Sequence, residues 1–453
     1  MKKPQLDWED TGSSWRAGVA QIDVSPPVGV QIVGYPTVIR PNTGVHDPLY
    51  ADCLVLADGS TKVALLTADL VYFEKEFVAR VREAVAAATD IPAGHLLMSC
   101  SHTHAGPRMG TRLFDDEVAR GGRVEHEYLQ ELERRLVDLV VVAASKLHEV
   151  RIGFGRGMAG SELGIGGNRH DPHGLADPAV RVMGVREPGG DWLATLVKYS
   201  LHPTILQMDN TLVSADYPFG IRQALLARHP GMTVLFSQGA TGDQSSRFFR
   251  TDQSFTEAER FGAAIGNEAD RVLAAMPHDA NARLGVRSVQ VEPVWKELPP
   301  VEELEARVQA YWQQLRELEA KDAPYVERQT CYLNRLGTEY TLTFARLNAE
   351  GRESPWAYEV PIEVQAIRIG DGCVVGVAGE MFVAYTLDIE ARSLFEHTFV
   401  VSLANGISPG YMVDRESAEK GLFEAGASML APETGERVGA AAERLCRELY
   451  QET

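Results

Sequence analysis

The sequence predicts an α/β fold in which mixed β-sheets are flanked by helices. Three observations carry this. Short runs that are apolar at nearly every position recur along the chain, segments with helical periodicity separate them, and no repeat, low-complexity tract or Gly/Ser linker interrupts the pattern. The 453 residues are 45% hydrophobic and 24% charged, ordinary values for a globular protein, and enough to bury a core without disulfides.

Six runs read as strands: 63–67, 96–99, 195–200, 233–236, 373–377 and 399–403. Their continuous apolarity predicts burial on both faces, with helices as the expected cover. Leu129, Leu132, Leu136, Leu139, Ala143 and Leu147 recur every three or four residues and predict a helix with one buried stripe. Thr256 and Glu259 have capping-box spacing, opening a helix to about Met276. A third helix is predicted over 301–320, with Leu304, Val308, Trp312, Leu315 and Leu318 on one side as core or interface packing. That helix leaves a homo-oligomer among the expected states. Residues 109–124 and 334–358 are expected to be loops that shape a pocket.

Composition narrows the function. A net charge of −19, from 44 basic and 63 acidic residues, repels phosphate backbones, so nucleic acid is not an expected partner. Five scattered cysteines without a CxxC pair read as reduced thiols. Lys2 and Lys3 are followed by no apolar stretch, and no run of about 18 apolar residues occurs, so neither a secretory leader nor a membrane span is expected. The expected compartment is the cytoplasm.

Five apolar runs are each followed by a polar, Gly-rich or His-bearing segment: SHTHAGP (101–107), LHPT (201–204), QGATGDQSS (238–246), AGEMF (378–382) and NGISPGY (405–411). Ligands of open α/β sheets sit beyond the carboxyl ends of strands, so all five are expected to converge on one site. In an extended segment His102 and His104 share a face and reach one metal or one substrate. His202 and Glu380 stand at the ends of other runs. Two imidazoles and a carboxylate from separate strands make an open zinc site with room for water, which suits hydrolysis. His126-Glu127 and His148-Glu149 read as solvated helix ends, and His95, His229, His278 and His397 as structural. No HExxH, Walker A loop, dinucleotide-binding glycine fingerprint or GxSxG elbow is present.

Taken together, the motifs resemble the neutral (non-lysosomal) ceramidase family. They are AGVAQIDVSPPVGVQIVGY (17–35), GVHDPLYAD (44–52), HTHAGP, Asn168-Arg169, His202-Pro203-Thr204, Ser214-Ala215-Asp216, GATGDQSS (239–246), PIEVQAIRIGDGCVVGVAGE (361–380) and NGISPGY, in register over most of the chain. The resemblance implies that residues 1–453 form a single ceramidase-like zinc hydrolase domain, without the C-terminal β-rich domain of the secreted enzymes. It implies Zn2+ held by His102, His202, Glu380 and Tyr411. It also implies that His104 touches substrate or transfers a proton, that Arg169 lines the pocket, and that Ser245 is the serine of the GDxS motif. His46 and Asp216, from the matching motifs, are expected at the substrate. Ser246-Arg247 stands where the family has a proline–asparagine pair, and the tyrosine motif contains Pro409 and one extra residue.

The expected activity is zinc-dependent cleavage of an amide (N-acyl) bond in a small molecule, with His104 and Tyr411 as catalytic groups. The expected substrate is smaller or more soluble than ceramide. Two alternatives stay open at this point: Ser245 as nucleophile with His104 as base, and a non-catalytic protein whose metal site is structural.

Overall fold

The structure, a computed structural model, describes residues 15–35, 38, 40–109, 123–277, 281–352 and 358–452. His278 and residues 110–122, part of the expected loop at 109–124, lie outside the described residues. All six predicted runs form strands. In the larger sheet the strands lie in the order Thr233–Gln238, Trp192–Tyr199, Ala179–Arg186, His148–Met158, Trp15–Asp23, Tyr50–Ala57, Lys62–Ala68, Leu96–Cys100. Its outermost pairs are parallel and the inner ones antiparallel. In the smaller sheet Leu284–Val291, Ile362–Ile369 and Gly372–Val377 are antiparallel, and His397–Val401 adds in parallel.

The period-2 alternation of side chains explains the layering. On one face Ala51, Cys53, Val55, Ala64, Leu66 and Met98 pack on helices Lys75–Ala88 and Arg123–Ser145. Further along that face Val180, Val182, Val197 and Val234 pack on helices Tyr217–Leu226 and Phe255–Ala275. The opposite face, with Leu54, Leu56, Leu65 and Leu97, meets Ile367, Ile369, Val374, Phe399 and Val401 of the second sheet. The outer face of that second sheet is covered by helices Val383–Arg392 and Pro432–Gln451. Helices were expected on both faces of the strands, but each sheet has helices on one face and the other sheet on its second. An apolar run requires burial on both sides and does not specify what buries it.

Two local readings also change. The helix Phe255–Ala275 is capped by Ser254, whose side chain accepts the Glu257 N–H at 3.1 Å, while Glu257 Oε1 accepts the Thr251 N–H. The Ser254/Glu257 pair has the same spacing as Thr256/Glu259 and starts the helix first. Residues 334–349 are not loop but the second half of the helix Tyr325–Ala349. Its buried positions mix Arg335, Gly337, Thr338 and Thr341 with Leu336, Leu342, Phe344 and Ala345, so its apolar stripe is interrupted. With helix Val301–Ala320 it forms a hairpin whose open groove, about 790 Å3, is lined by Trp312, Leu342 and Arg346 among others. None of the groove's lining residues belongs to the histidine site described below. Among the described residues, no helix is long and apolar enough to cross a membrane.

The sheets are tied together at the ends that carry the motifs. Asn405 Oδ1 accepts the Met98 N–H at 2.9 Å, the Asn405 N–H donates to Met98 O at 2.7 Å, and Asn405 Nδ2 donates to Gln365 Oε1 at 2.8 Å. One buried amide thus fixes the middle of strand Leu96–Cys100 against the smaller sheet.

Candidate metal centre

Three histidines meet beyond the strand ends. His102 Nε2 lies 3.4 Å from His104 Nε2, and His202 Nε2 lies 3.0 Å from the same atom. Glu380 Oε2 stands 3.3 Å from His102 Nε2 and 3.8 Å from His202 Nδ1. Their potential ligand atoms from the three imidazoles all fall within 4.8 Å of one another. His102 and His104 were expected to share a face through an extended segment. They meet instead through a turn, because His102 has φ of 68°, a left-handed value that non-glycine residues rarely adopt.

Hydrogen bonds set the tautomers. His102 Nδ1 is 2.8 Å from Val71 O and His202 Nδ1 is 3.3 Å from Thr241 O. A carbonyl accepts only, so each Nδ1 carries the proton and each Nε2 presents a lone pair to the shared point. Burial first, then the other imidazoles, pushes the pKa of His202 well below the ordinary value, and burial followed by His102 does so for His104. Neutral rings are thereby favoured, the form that binds a metal. His104 differs from the other two, since its Nδ1 is buried and has no partner.

The donor set fits a tetrahedral ion. Zn–N and Zn–O bonds of about 2.0–2.1 Å imply ligand-to-ligand edges of about 3.3–3.4 Å. The His104–His202, His102–Glu380 and His102–His104 separations of 3.0, 3.3 and 3.4 Å bracket that value, with His104 counted among the donors. Lone pairs converging at such distances repel one another unless a cation lies between them. The described residues that meet here can therefore hold a metal ion.

The remaining expected residues divide. Tyr411 begins the short strand Tyr411–Met412, which pairs in parallel with Glu380–Met381 and sets Tyr411 opposite Glu380. Burial, reinforced by the Glu380 carboxylate, raises its phenol pKa well above the ordinary value, while Arg169 opposes the rise. Arg169 Nη1 donates to Glu424 Oε1 at 2.8 Å, and Glu424 Oε2 lies 2.8 Å from His170 Nε2. Ser245 pairs through a backbone bridge with His202, but its Oγ accepts the Arg247 N–H at 3.2 Å. No imidazole lies within hydrogen-bond reach of that Oγ among the described residues, so a serine–histidine dyad is not assembled here. Asp216 caps helix Tyr217–Leu226 and accepts the Tyr217 and Leu206 N–H groups at 2.7 and 3.0 Å, with burial lifting its pKa to about 6. His46 stacks on Phe255 at 3.6 Å and contacts Asp47 rather than the histidine cluster.

Searches with the sequence find no matching family model and no matching curated protein. Solved structures do match. The neutral ceramidase from Pseudomonas aeruginosa superposes with a TM-score of 0.73 over 96% of this chain and 74% of that one, at 16% identity. A ceramidase complexed with C2 gives a TM-score of 0.71 over 97% and 76%, at 15% identity. The fold is that of the neutral ceramidases. At this identity the shared property is the fold, as the motif order implied.

Several residues of the site carried no separate signal in the sequence. Thr241 Oγ1 donates to Glu380 Oε2 at 3.1 Å while its carbonyl fixes His202, so one residue orients two others. Glu424 lies in the short helix Phe423–Gly426 and is fully buried. Arg40 donates to His104 O at 2.8 Å and stacks on Tyr35, whose ring is edge-on to His104 at 5.4 Å. Gly34 has φ of 106°, and a Cβ there would stand 2.4 Å from His104 Cγ. Gly34→Ala is accordingly expected to displace the His104 ring and to destabilise the protein by about 1–3 kcal/mol, read from the urea midpoint. An unchanged midpoint with full activity would show that the contact is not tight.

Proposed function

We propose that this chain is a zinc-dependent amidohydrolase that cleaves an N-acyl bond. The observation that carries the reading is the convergence of the His102, His104 and His202 Nε2 atoms, with the His104 nitrogen 3.4 and 3.0 Å from the other two and the Glu380 carboxylate 3.3 Å from His102 Nε2. The ceramidase fold supports it. His102, His202 and Glu380 would hold the ion, with Tyr411 beside Glu380. Imidazoles that bind zinc almost always donate their second N–H to an acceptor. His102 and His202 do so and His104 does not, which sets His104 apart as the proton carrier.

Zinc in such a site supplies Lewis acidity, lowering the pKa of water to about 7 and polarising a carbonyl oxygen. The protein's own groups do the rest. His104, whose Nε2 faces the shared point, takes a proton from the attacking water and delivers it to the leaving amine. Tyr411, set opposite Glu380, donates a hydrogen bond to the oxyanion as it forms. His102 and His202, 4% and 1% exposed, keep bulk water from the reacting bond.

Elemental analysis and a panel of N-acyl substrates test this reading. About one zinc per chain, with amide hydrolysis abolished by a chelator and restored by zinc, is the expected result. Chelator-resistant hydrolysis together with fluorophosphonate labelling of Ser245 would overturn it. A compartment in the cytoplasm and a preference for substrates more soluble than ceramide belong to the same proposal.

A further inference from the structure

Two arginines are tied to the segments that carry the histidine centre, and among the described residues neither has a carboxylate partner. Arg247 Nη2 donates to Val326 O at 2.7 Å and Thr330 Oγ1 at 2.8 Å, both on helix Tyr325–Ala349. Its Nε–H is buried and has no acceptor. Its backbone N–H is held by Ser245, the residue bridged to His202. Arg250 Nη1 donates to Thr204 O at 2.7 Å, two residues beyond His202, and its Nη2 reaches the Tyr325 hydroxyl at 3.5 Å. All these acceptors are neutral. Among the described residues no carboxylate lies within ion-pair distance of either guanidinium.

The arrangement is repulsive as it stands. Burial and the charges of Arg169 and Arg250 depress the pKa of Arg247, and Glu424, which pulls the other way, is already paired with Arg169. Arg250 and Tyr325 also act electrostatically on Tyr35, the ring packed against His104. The cluster therefore lies near Tyr35, whose ring packs edge-on to the proposed proton carrier. Unpaired, partly desolvated cations raise the free energy of a protein unless a ligand supplies the opposite charge. A chain of net charge −19 has acidic side chains in excess, yet among the described residues none pairs with these two. At physiological salt the field of distant acidic groups is screened within about 8 Å, so the local cations govern a bound substrate.

We infer that Arg247 and Arg250 form an anion subsite next to the histidine centre, and that the substrate is an amide bearing a carboxylate near its scissile bond, of the N-acyl amino acid class. The inference rests on the amide-hydrolase reading of that centre. A guanidinium fork matches a carboxylate in two parallel hydrogen bonds, whereas a neutral lipid amide leaves both cations unpaired.

The test uses the zinc-loaded full chain with a panel of N-octanoyl amino acids, their methyl esters and a short-chain ceramide. The acids are expected to exceed their esters in kcat/KM by about 10- to 100-fold, the range for hydrogen bonds to a charged group. Arg247→Gln and Arg250→Gln are each expected to reduce that acid-to-ester ratio by about tenfold through KM, and Arg247→Lys to retain part of it. Unchanged unfolding midpoints exclude a folding defect. Calorimetric binding of the acids to metal-free protein, lost in the double Gln variant, is the second readout. Equal turnover of acid and ester, preference for the ceramide, or an unchanged ratio in both variants overturns the subsite and leaves amide hydrolysis standing. If no amide is hydrolysed with zinc loaded, the amide-hydrolase reading fails, and calorimetry alone decides whether the two arginines bind a carboxylate.

Discussion

Replacing His202 with alanine is expected to remove bound zinc and lower kcat/KM by more than about 1,000-fold, the two falling together. Loss of a residue that merely supports a metal ligand reduces metal affinity or activity by about 10- to 100-fold. His202 is more than a support: its Nδ1 is anchored on Thr241 O, and its Nε2 lies in the triangle formed with His102 and His104. Deleting it also opens a cavity in a site where the side chain is almost wholly buried. The informative comparison is His104→Ala. That variant is expected to keep its zinc, measured by elemental analysis, while losing turnover, because the ring lacks the acceptor that a ligand histidine has on its far nitrogen. Zinc lost equally in both variants would make His104 a third imidazole ligand and remove the proposed proton carrier.

What could be read from the residues follows from which signals are local. The runs at 63–67 and 96–99 read as strands because they are too short for a typical helix, and length decides what apolarity by itself leaves open. The residues after them specify a site because polar and His-bearing segments at strand ends have nowhere to converge but the sheet's carboxyl edge. His102, His202, Glu380 and Tyr411 are brought into one neighbourhood from four separate segments. The layer order was not legible, since Leu54 and Leu56 are equally content against a helix or against Ile367 and Val374. The second helix of the hairpin was missed because its buried face mixes Arg335, Gly337, Thr338 and Thr341 with Leu336, Leu342 and Phe344, which blurs the apolar period. Glu424 was invisible for a different reason. An isolated glutamate in a short polar stretch reads as solvated, and only the fold shows it pinned under Arg169 and His170.

That buried glutamate is the second residue whose loss is expected to have a large effect. Glu424 is fully buried and holds Arg169 and His170 each at 2.8 Å, while Arg169 lies against Tyr411. Glu424→Ala leaves the Arg169 guanidinium uncompensated in the interior, a change expected to destabilise the protein by about 3–5 kcal/mol. The denaturant midpoint measures it. Burial opposes ionisation of Glu424, but the charge of Arg169 and the hydrogen bond from His170 outweigh it, so its carboxyl sits below its ordinary pKa. A folded-state pKa below the unfolded value, about 4.3 for glutamate, means that the pair stabilises the protein at all higher pH. The stabilisation fades as pH falls through the depressed value. The stability gap between the native chain and Glu424→Gln, measured on metal-free protein, is therefore expected to be constant near neutrality and to narrow in acid. A gap that stays constant to low pH would show that Glu424 holds Arg169 by shape and hydrogen bonding alone. In that case Arg169 would keep its position in the glutamine variant, and the Tyr411 hydroxyl would keep its neighbour.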